Sequence, residues 1–155
     1  MKKRLNQVAV VLRRINMERK SWDEYFFDLA KLVSTRATCS RAQVGCVLVK
    51  DKRIIATGYN GALAGRKHCN HGNQDMLWIH GSPPPPEYLA KKDLYMIDGI
   101  THCLIAVHAE LNAVADCARR GISCDGATMY ITKKPCDNCL KLIYSSGIFD
   151  IKVCE

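Results

Sequence analysis

The stretch HAELNAVADCARRGISCDGATMYITKKPCDNCLKLIYSSGIFDIKVC, residues 108 to 154, decides the fold. Leu111, Val114, Ala115 and Ala118 recur at the three- and four-residue spacing of one helix face, and Gly121 closes that helix. Ala127 to Thr132 is a short apolar run of strand length. Cys136, Cys139, Leu140 and Ile143 share a second helical stripe that stops at Gly147, and Ile148 to Cys154 reads as a further strand. Alternation of this kind implies parallel pairing with right-handed crossovers.

Outward from that stretch, Val44 to Val49 reads as a buried strand, Lys50-Asp51-Lys52 as a turn, and Arg53 to Tyr59 as the antiparallel partner. Ser21 followed by Glu24 is a capping box that starts a helix with the stripe Trp22, Phe26, Leu29 and Val33, ended by Arg36 to Ser40. Leu5, Val8, Leu12 and Ile15 predict an amphipathic helix within an N-terminal extension, residues 1–20. Between about 61 and 101 periodicity is lost. Gly61, Gly65, Gly72, Gly81 and the run Pro83 to Pro86 punctuate this stretch, and the prolines themselves cannot form a helix or central strand. A long loop is expected, with one short helix around Glu87 to Lys92; loops of this length are usually functional, disordered, or pinned by something such as a metal. The predicted architecture is α/β: a mixed sheet, one antiparallel hairpin followed by parallel strands, between helices on both faces in a three-layer α/β/α arrangement.

Composition narrows the class. At 155 residues, 48% hydrophobic and 25% charged, the chain is an ordinary globular one with room for a single core. No apolar run approaches the roughly 18 residues that a membrane helix needs. Met1-Lys2-Lys3-Arg4 has the charge of an export signal, but the apolar stretch Val8 to Leu12 stops at Arg13-Arg14, too short for one. Nine cysteines, an odd number, without an export signal point to a reducing, cytoplasmic setting rather than a disulfide scaffold. Cys46, inside an apolar strand, is expected to be core. The net charge of +8 suits an anionic ligand. Much of it sits in Lys2, Lys3, Arg4, Arg13, Arg14, Arg19 and Lys20, where a solvated helix face accounts for it as well as a nucleic-acid patch does.

Three residues carry chemistry together. His108, Cys136 and Cys139 offer one imidazole and two thiolates, three ligands for a zinc whose fourth position stays open to water. Cys136 and Cys139 are three apart, so one helix face presents both, and Pro135 suits the start of that helix. His108 and Glu110 are two apart and would diverge on a regular helix, so one of them must sit at a loop-to-helix junction. Glu110 is not needed as a ligand and is free to carry protons. Zinc lowers the pKa of its water to about 7, and Glu110 would take the proton released.

The order His-x-Glu, then Pro-Cys-x-x-Cys, resembles the zinc nucleobase deaminases. From Ser21 onward the chain is similar to the deoxycytidylate (dCMP) deaminases, above all those of phages and some bacteria. The matching segments are Ser21 to Phe26, Gln43-Val44-Gly45, Gly58-Tyr59-Asn60-Gly61, His108 to Ala113 and Pro135 to Cys139. The resemblance implies a cytidine-deaminase-like domain over 21–155 and hydrolysis of dCMP to dUMP for thymidylate synthesis. It implies a homohexamer activated by dCTP and inhibited by dTTP, with Mg²⁺ accompanying the triphosphate. Asn60 would contact the substrate's sugar, and Gly58, Tyr59, Asn60 and Gly61 would border the regulatory nucleotide site. Cys39, Cys69 and His102 lie where some relatives carry a second, structural zinc, with His71, His68 or Cys103 as fourth ligand. Family members continue beyond the last strand into a segment that helps hold the substrate phosphate, whereas this sequence stops at Glu155. Either the sequence given is part of a longer chain, or phosphate contacts come from elsewhere, such as Arg119, Arg120 or a neighbouring subunit.

Two alternatives stand beside this reading. One is a deaminase of another substrate, tRNA adenosine or free cytidine or cytosine; the basic charge favours RNA mildly, and Gly58 to Gly61 favours a nucleotide. The other is a non-catalytic zinc module that binds nucleic acid, against which Glu110 argues, since such a module has no use for a proton carrier. Neither a membrane nor a nucleic-acid partner is expected.

Overall fold

The computed structural model describes residues 19–66, 68–69, 94–97, 100–103 and 105–154. In chain order they form α1 (Trp22–Ser34), β1 (Gly45–Lys50), β2 (Arg53–Tyr59), β3 (Leu94–Ile97), β4 (Ile100–Cys103), α2 (Ala109–Arg120), β5 (Thr128–Ile131), α3 (Asp137–Ser145) and β6 (Asp150–Val153). The predicted capping box opens α1: the Glu24 N–H donates to Ser21 Oγ at 3.2 Å, and the Ser21 N–H donates to Glu24 Oε2 at 2.7 Å. Two otherwise orphaned donors are satisfied reciprocally. The β1–β2 hairpin turns through Asp51 and Lys52, both at positive φ (52° and 59°), the geometry whose twist matches paired strands.

The main sheet has the order β2-β1-β5-β6. β1 pairs antiparallel with both β2 and β5, and β5 pairs parallel with β6. The sheet is therefore mixed, as expected, with one refinement: β1 alone runs against the other three strands. α2 carries the chain over β1 from β2 to β5, and α3 carries it from β5 to β6. Side-chain alternation along β1 sorts the two faces. Val47 and Val49 meet Phe26 and Ala30 of α1, with Tyr130 of β5. Cys46 and Leu48 meet Ala109, Ala113 and Cys117 of α2, with Ile143 of α3 and Met129 and Ile131 of β5. Because β1 is covered on both sides, its sequence is a continuous apolar run rather than an alternating one. Cys46 is fully buried in this core.

Two glycines set how closely the helices approach. A Cβ on Gly45 would stand 2.1 Å from the Ala30 carbonyl of α1, and one on Gly58 would stand 2.1 Å from the Ala109 carbonyl of α2. Gly58 pairs with Cys46, so it lies on the α2 face; Gly45 pairs with Tyr59 and lies on the α1 face. Backbone thus meets backbone on each side of the sheet.

The structure departs from expectation in four places. β3 and β4 form a separate antiparallel pair, Leu94↔Cys103 through Ile97↔Ile100, at the end of the stretch expected to be loop. Asp98-Gly99 between two apolar-rich runs is a hairpin signal that the surrounding glycines and prolines obscure. α3 starts at Asp137 with Cys136 as its N-cap, so Pro135 precedes the helix instead of opening it. A bulge at Leu48/Val49 leaves Ile55 of β2 without a partner, and Arg120 at the end of α2 donates to its carbonyl. The terminal strands are shorter at their ends than the apolar runs that predict them. The helices expected within 1–20 and at Glu87 to Lys92 lie outside the described residues. No helix among the described residues is long and apolar enough to cross a membrane.

Candidate active site

α2 and α3 begin at one end of the sheet, and each has a metal-binding residue type at its N-cap. His108 (φ −69°, ψ 154°) caps α2 and Cys136 (φ −77°, ψ 165°) caps α3. Neither side chain makes a hydrogen bond that caps its helix, and the two turn toward each other. Cys139 stands in the first turn of α3. His108 Nδ1 lies 3.3 Å from Cys139 Sγ and 3.7 Å from Cys136 Sγ. A tetrahedral zinc with ordinary Zn–N and Zn–S bonds separates its nitrogen and sulfur ligands by about 3.6 Å. The three donors, all within 4.8 Å of one another, therefore fit one zinc. Burial, then the nearby Glu110 and Cys136, pushes the Cys139 thiol well above its ordinary range. A divalent cation among these donors works in the opposite sense and holds the thiolate form.

Glu110, two residues into α2, is 4% exposed. Burial pushes its carboxyl above the usual carboxylate range, against the pull of its backbone N–H and of Cys139. A buried carboxyl beside a zinc-type donor set, not itself one of the donors, is placed to accept and return protons. The two-residue spacing that a regular helix would splay works here because His108 is extended and only Glu110 is helical.

The approach to this centre is tied down by backbone bonds. Gly61 and Val107 exchange both N–H···O bonds, at 3.0 and 2.9 Å, which holds the segment entering His108 against the end of β2. Asn112 Nδ2 donates to the Tyr59 carbonyl at 2.8 Å, a second tie between α2 and β2. The sequence reading did not single out Asn112, although an amide one turn beyond His108 was its visible signal. Asn60, 7% exposed, receives the Val44 N–H at 2.7 Å on Oδ1 and donates from Nδ2 to the Ala42 carbonyl at 2.8 Å. Its amide thus holds the loop ahead of β1, with one lone pair and one hydrogen left for a ligand.

The structure changes the physical account of the neighbouring glycines. Expected at the border of a nucleotide site, they also serve packing: Gly58 makes room for α2, and a Cβ on Gly61 would stand 2.2 Å from Thr38 Oγ1. Tyr59 between them is exposed. Arg119 and Arg120 are not at this site. They lie at the far end of α2, where both pair with Asp116, and a 12-residue helix puts its ends some 16 Å apart.

A second convergence involves Cys39, Cys69 and Cys103, all buried, with their sulfurs within 4.8 Å of one another. Cys39 and Cys69 are paired in an isolated parallel bridge, and the Ala106 N–H points at Cys103 Sγ at 3.3 Å. Of the residues expected here, Cys39, Cys69 and Cys103 converge. The side chain of His102 and all of His71 lie outside the described structure; His68 is exposed.

A family profile described as the cytidine and deoxycytidylate deaminase zinc-binding region matches residues 20–155. The chain is 41% identical over 132 residues to the deoxycytidylate deaminase of Mycobacterium phage D29, across 85% of this chain and 93% of that protein. It is 39% identical over 139 residues to ComE operon protein 2 of Bacillus subtilis (strain 168), across 90% of this chain, and spans 62% of that protein's length. The solved structure of dCMP deaminase from the cyanophage S-TIM5, in complex with dCMP and dUMP, is similar with a TM-score of 0.59 and 28% identity, covering 84% of this chain and 78% of that one. With a zinc-type donor set at the starts of two helices and a buried glutamate beside it, the chain belongs to the cytidine and deoxycytidylate deaminase family of zinc-binding domains.

Proposed function

We propose that this protein hydrolyses dCMP to dUMP and ammonia at a zinc held by His108, Cys136 and Cys139. One observation carries the reading: three zinc-type donors converge within 4.8 Å, with buried Glu110 two residues from the first. When bound, zinc supplies a Lewis acid that makes water nucleophilic near neutral pH. The chain supplies the rest. Glu110 accepts a proton, delivers it to ring N3, and serves again when the amino group leaves as ammonia. Its raised affinity for protons suits a group that must hold one between steps. Asn60 offers its remaining hydrogen-bonding capacity to the sugar. Two of the relatives named above, the deoxycytidylate deaminase of Mycobacterium phage D29 and the dCMP deaminase of cyanophage S-TIM5, support dCMP over cytidine and over tRNA adenosine. Ammonia release from dCMP, dCTP, cytidine and single-stranded DNA tests this directly, and the reading expects dCMP to be preferred; preference for cytidine or for DNA sinks it.

The finer parts of the reading rest on the family resemblance. A second, structural zinc joins the loop after α1, the segment at Cys69 and β4 through Cys39, Cys69 and Cys103, with His102, His68 or His71 to complete it. dCTP with Mg²⁺ activates, and dTTP inhibits, near Gly58 to Gly61 in a homohexamer. Since Gly58 and Gly61 are occupied by their own chain, the exposed Tyr59 ring is the part of that segment that would meet a nucleotide. Stacked and exposed Tyr144 and Phe149, 6.0 Å apart, add apolar surface of the kind that subunits bury. The product would feed thymidylate synthesis in the cytoplasm, a setting that agrees with nine cysteines of which none is in a disulfide.

A further inference from the structure

The loop joining β5 to α3 carries two adjacent cations, Lys133 and Lys134, directly ahead of Pro135 and Cys136. Both are exposed, yet the loop that bears them is held at each end. The Thr132 N–H donates to the Gly45 carbonyl at 3.0 Å, and the Gly45 N–H donates to Thr132 Oγ1 at 3.0 Å. On the other side Pro135 is buried. The lysines therefore project from a fixed rim two to three residues from a zinc-type ligand.

Their charges are also uncommitted. Lys20 pairs with Asp28, Lys152 with Asp23, and Arg119 and Arg120 with Asp116. Among the described residues neither Lys133 nor Lys134 has an acidic partner within ion-pair distance, and Asp137, the nearest acid in sequence, is not bonded to them. The position suits one end of a nucleotide. Asn60 follows β2, Val44 and Gly45 begin the adjacent β1, and Thr132 follows β5. Strand spacing puts Asn60 about 10 Å across the sheet end from Thr132, a span comparable to a nucleoside monophosphate. The N-terminus of α3 points its positive end into the same region.

We propose that Lys133 and Lys134 bind the phosphate of the nucleotide substrate and make this site select a 5′-monophosphate over the free nucleoside. The inference rests on the deaminase reading for the identity of the nucleotide, but not for the phosphate chemistry. A dianionic phosphate at the rim meets two ammonium groups on flexible four-carbon stems, which neutralise it without fixing a single geometry. No bond is made or broken there; the lysines contribute binding and orientation.

The test compares zinc-loaded wild type with the double variants Lys133→Ala/Lys134→Ala and Lys133→Arg/Lys134→Arg, on dCMP and on deoxycytidine. The alanine pair is expected to raise KM for dCMP about tenfold or more with a smaller change in kcat, as loss of charge-assisted contacts should. The ratio of kcat/KM for dCMP to that for deoxycytidine falls by the same factor, and the arginine pair restores most of it. A ratio that stays within about twofold in the alanine pair, at full zinc content, overturns the proposal. A changed response to dTTP with an unchanged ratio overturns it too, because the lysines then serve a regulator's phosphates. Should the alanine pair fail to fold, the single variants Lys133→Gln and Lys134→Gln repeat the comparison. Calorimetric binding of dCMP and deoxycytidine separates the two readings. If wild type turns over neither compound, the deaminase reading fails, while a lysine-dependent preference for dCMP in binding still upholds this one.

Discussion

At Glu110 the exchange of one oxygen for an NH₂ group separates holding the metal from moving the proton. His108, Cys136 and Cys139 supply the donors, and Glu110 is not among the three that converge. Glu110→Gln is therefore expected to keep the catalytic zinc and the fold while turnover falls about 10²–10⁴-fold, the usual worth of general acid–base catalysis. Cys136→Ser is expected to lose both. Zinc content and ammonia release, measured together on the two variants, distinguish the roles; near-native turnover in Glu110→Gln would falsify the proton-carrying role, and full zinc in Cys136→Ser would remove that thiol from the ligand set.

Elements are placed by contacts in which one atom decides. Gly58 lets α2 lie against β2 closely enough for His108 and Glu110 to reach the site, and an added methyl would meet the Ala109 carbonyl and the Ala113 nitrogen at 2.1 and 2.6 Å. Gly58→Ala should cost about 1–3 kcal/mol in denaturant unfolding, as overpacking does, and should lower activity because the helix that moves carries the site. On the opposite face α1 is fastened through Asp23, which accepts from Tyr130 Oη at 2.6 Å and from Lys152 Nζ at 2.8 Å. Lys152 and then Tyr130 hold the Asp23 carboxyl below its ordinary 3.8. The contribution is therefore present above that value and is lost as pH falls through the lower, folded one. Asp23 chiefly raises Lys152 above 10.5, so the lysine's share is present below 10.5 and fades at higher, strongly alkaline pH. Asp23→Asn is expected to lower Tm at pH 7 by up to about 4 °C, given the exposure of the pair. That difference should close in strongly acidic solution, and a gap independent of pH would show that the ion pair is not its source.

For the whole molecule, distant segments meet at Cys39, Cys69 and Cys103. If these thiols hold the second zinc, Cys103→Ser should release about one zinc per chain, loosen the segment between β2 and β4, and leave the donors at His108 loaded. Anomalous scattering at the zinc edge counts the sites, and a single peak at His108 rejects the second. The proposed regulation would likewise be a property of the proposed assembly. Two sites and two states predict sigmoidal dCMP dependence, steepened by dTTP and relieved by dCTP. Hyperbolic curves merely displaced by dTTP would mean competition at one site.

The main elements and the donors that converge at His108 were legible because their signals are local. A capping box, helical stripes, apolar runs and the spacing of His108, Glu110, Cys136 and Cys139 are each read within a few turns of chain. The β3–β4 hairpin was legible too, in Asp98-Gly99, but lay among glycines and prolines that spoke for loop. Other features depend on what lies opposite a residue, which no local pattern records. The antiparallel pairing of β1 with β5, the bulge at Ile55 and the cover that α2 lays over Gly58 are of this kind. Sequence by itself determined which chemistry the chain can hold and which segments become helix or strand, because spacing and side-chain type act over one turn or one strand. Only the tertiary structure decided which donors share a centre and which glycine serves packing, because those depend on distances set when segments dozens of residues apart close on one another.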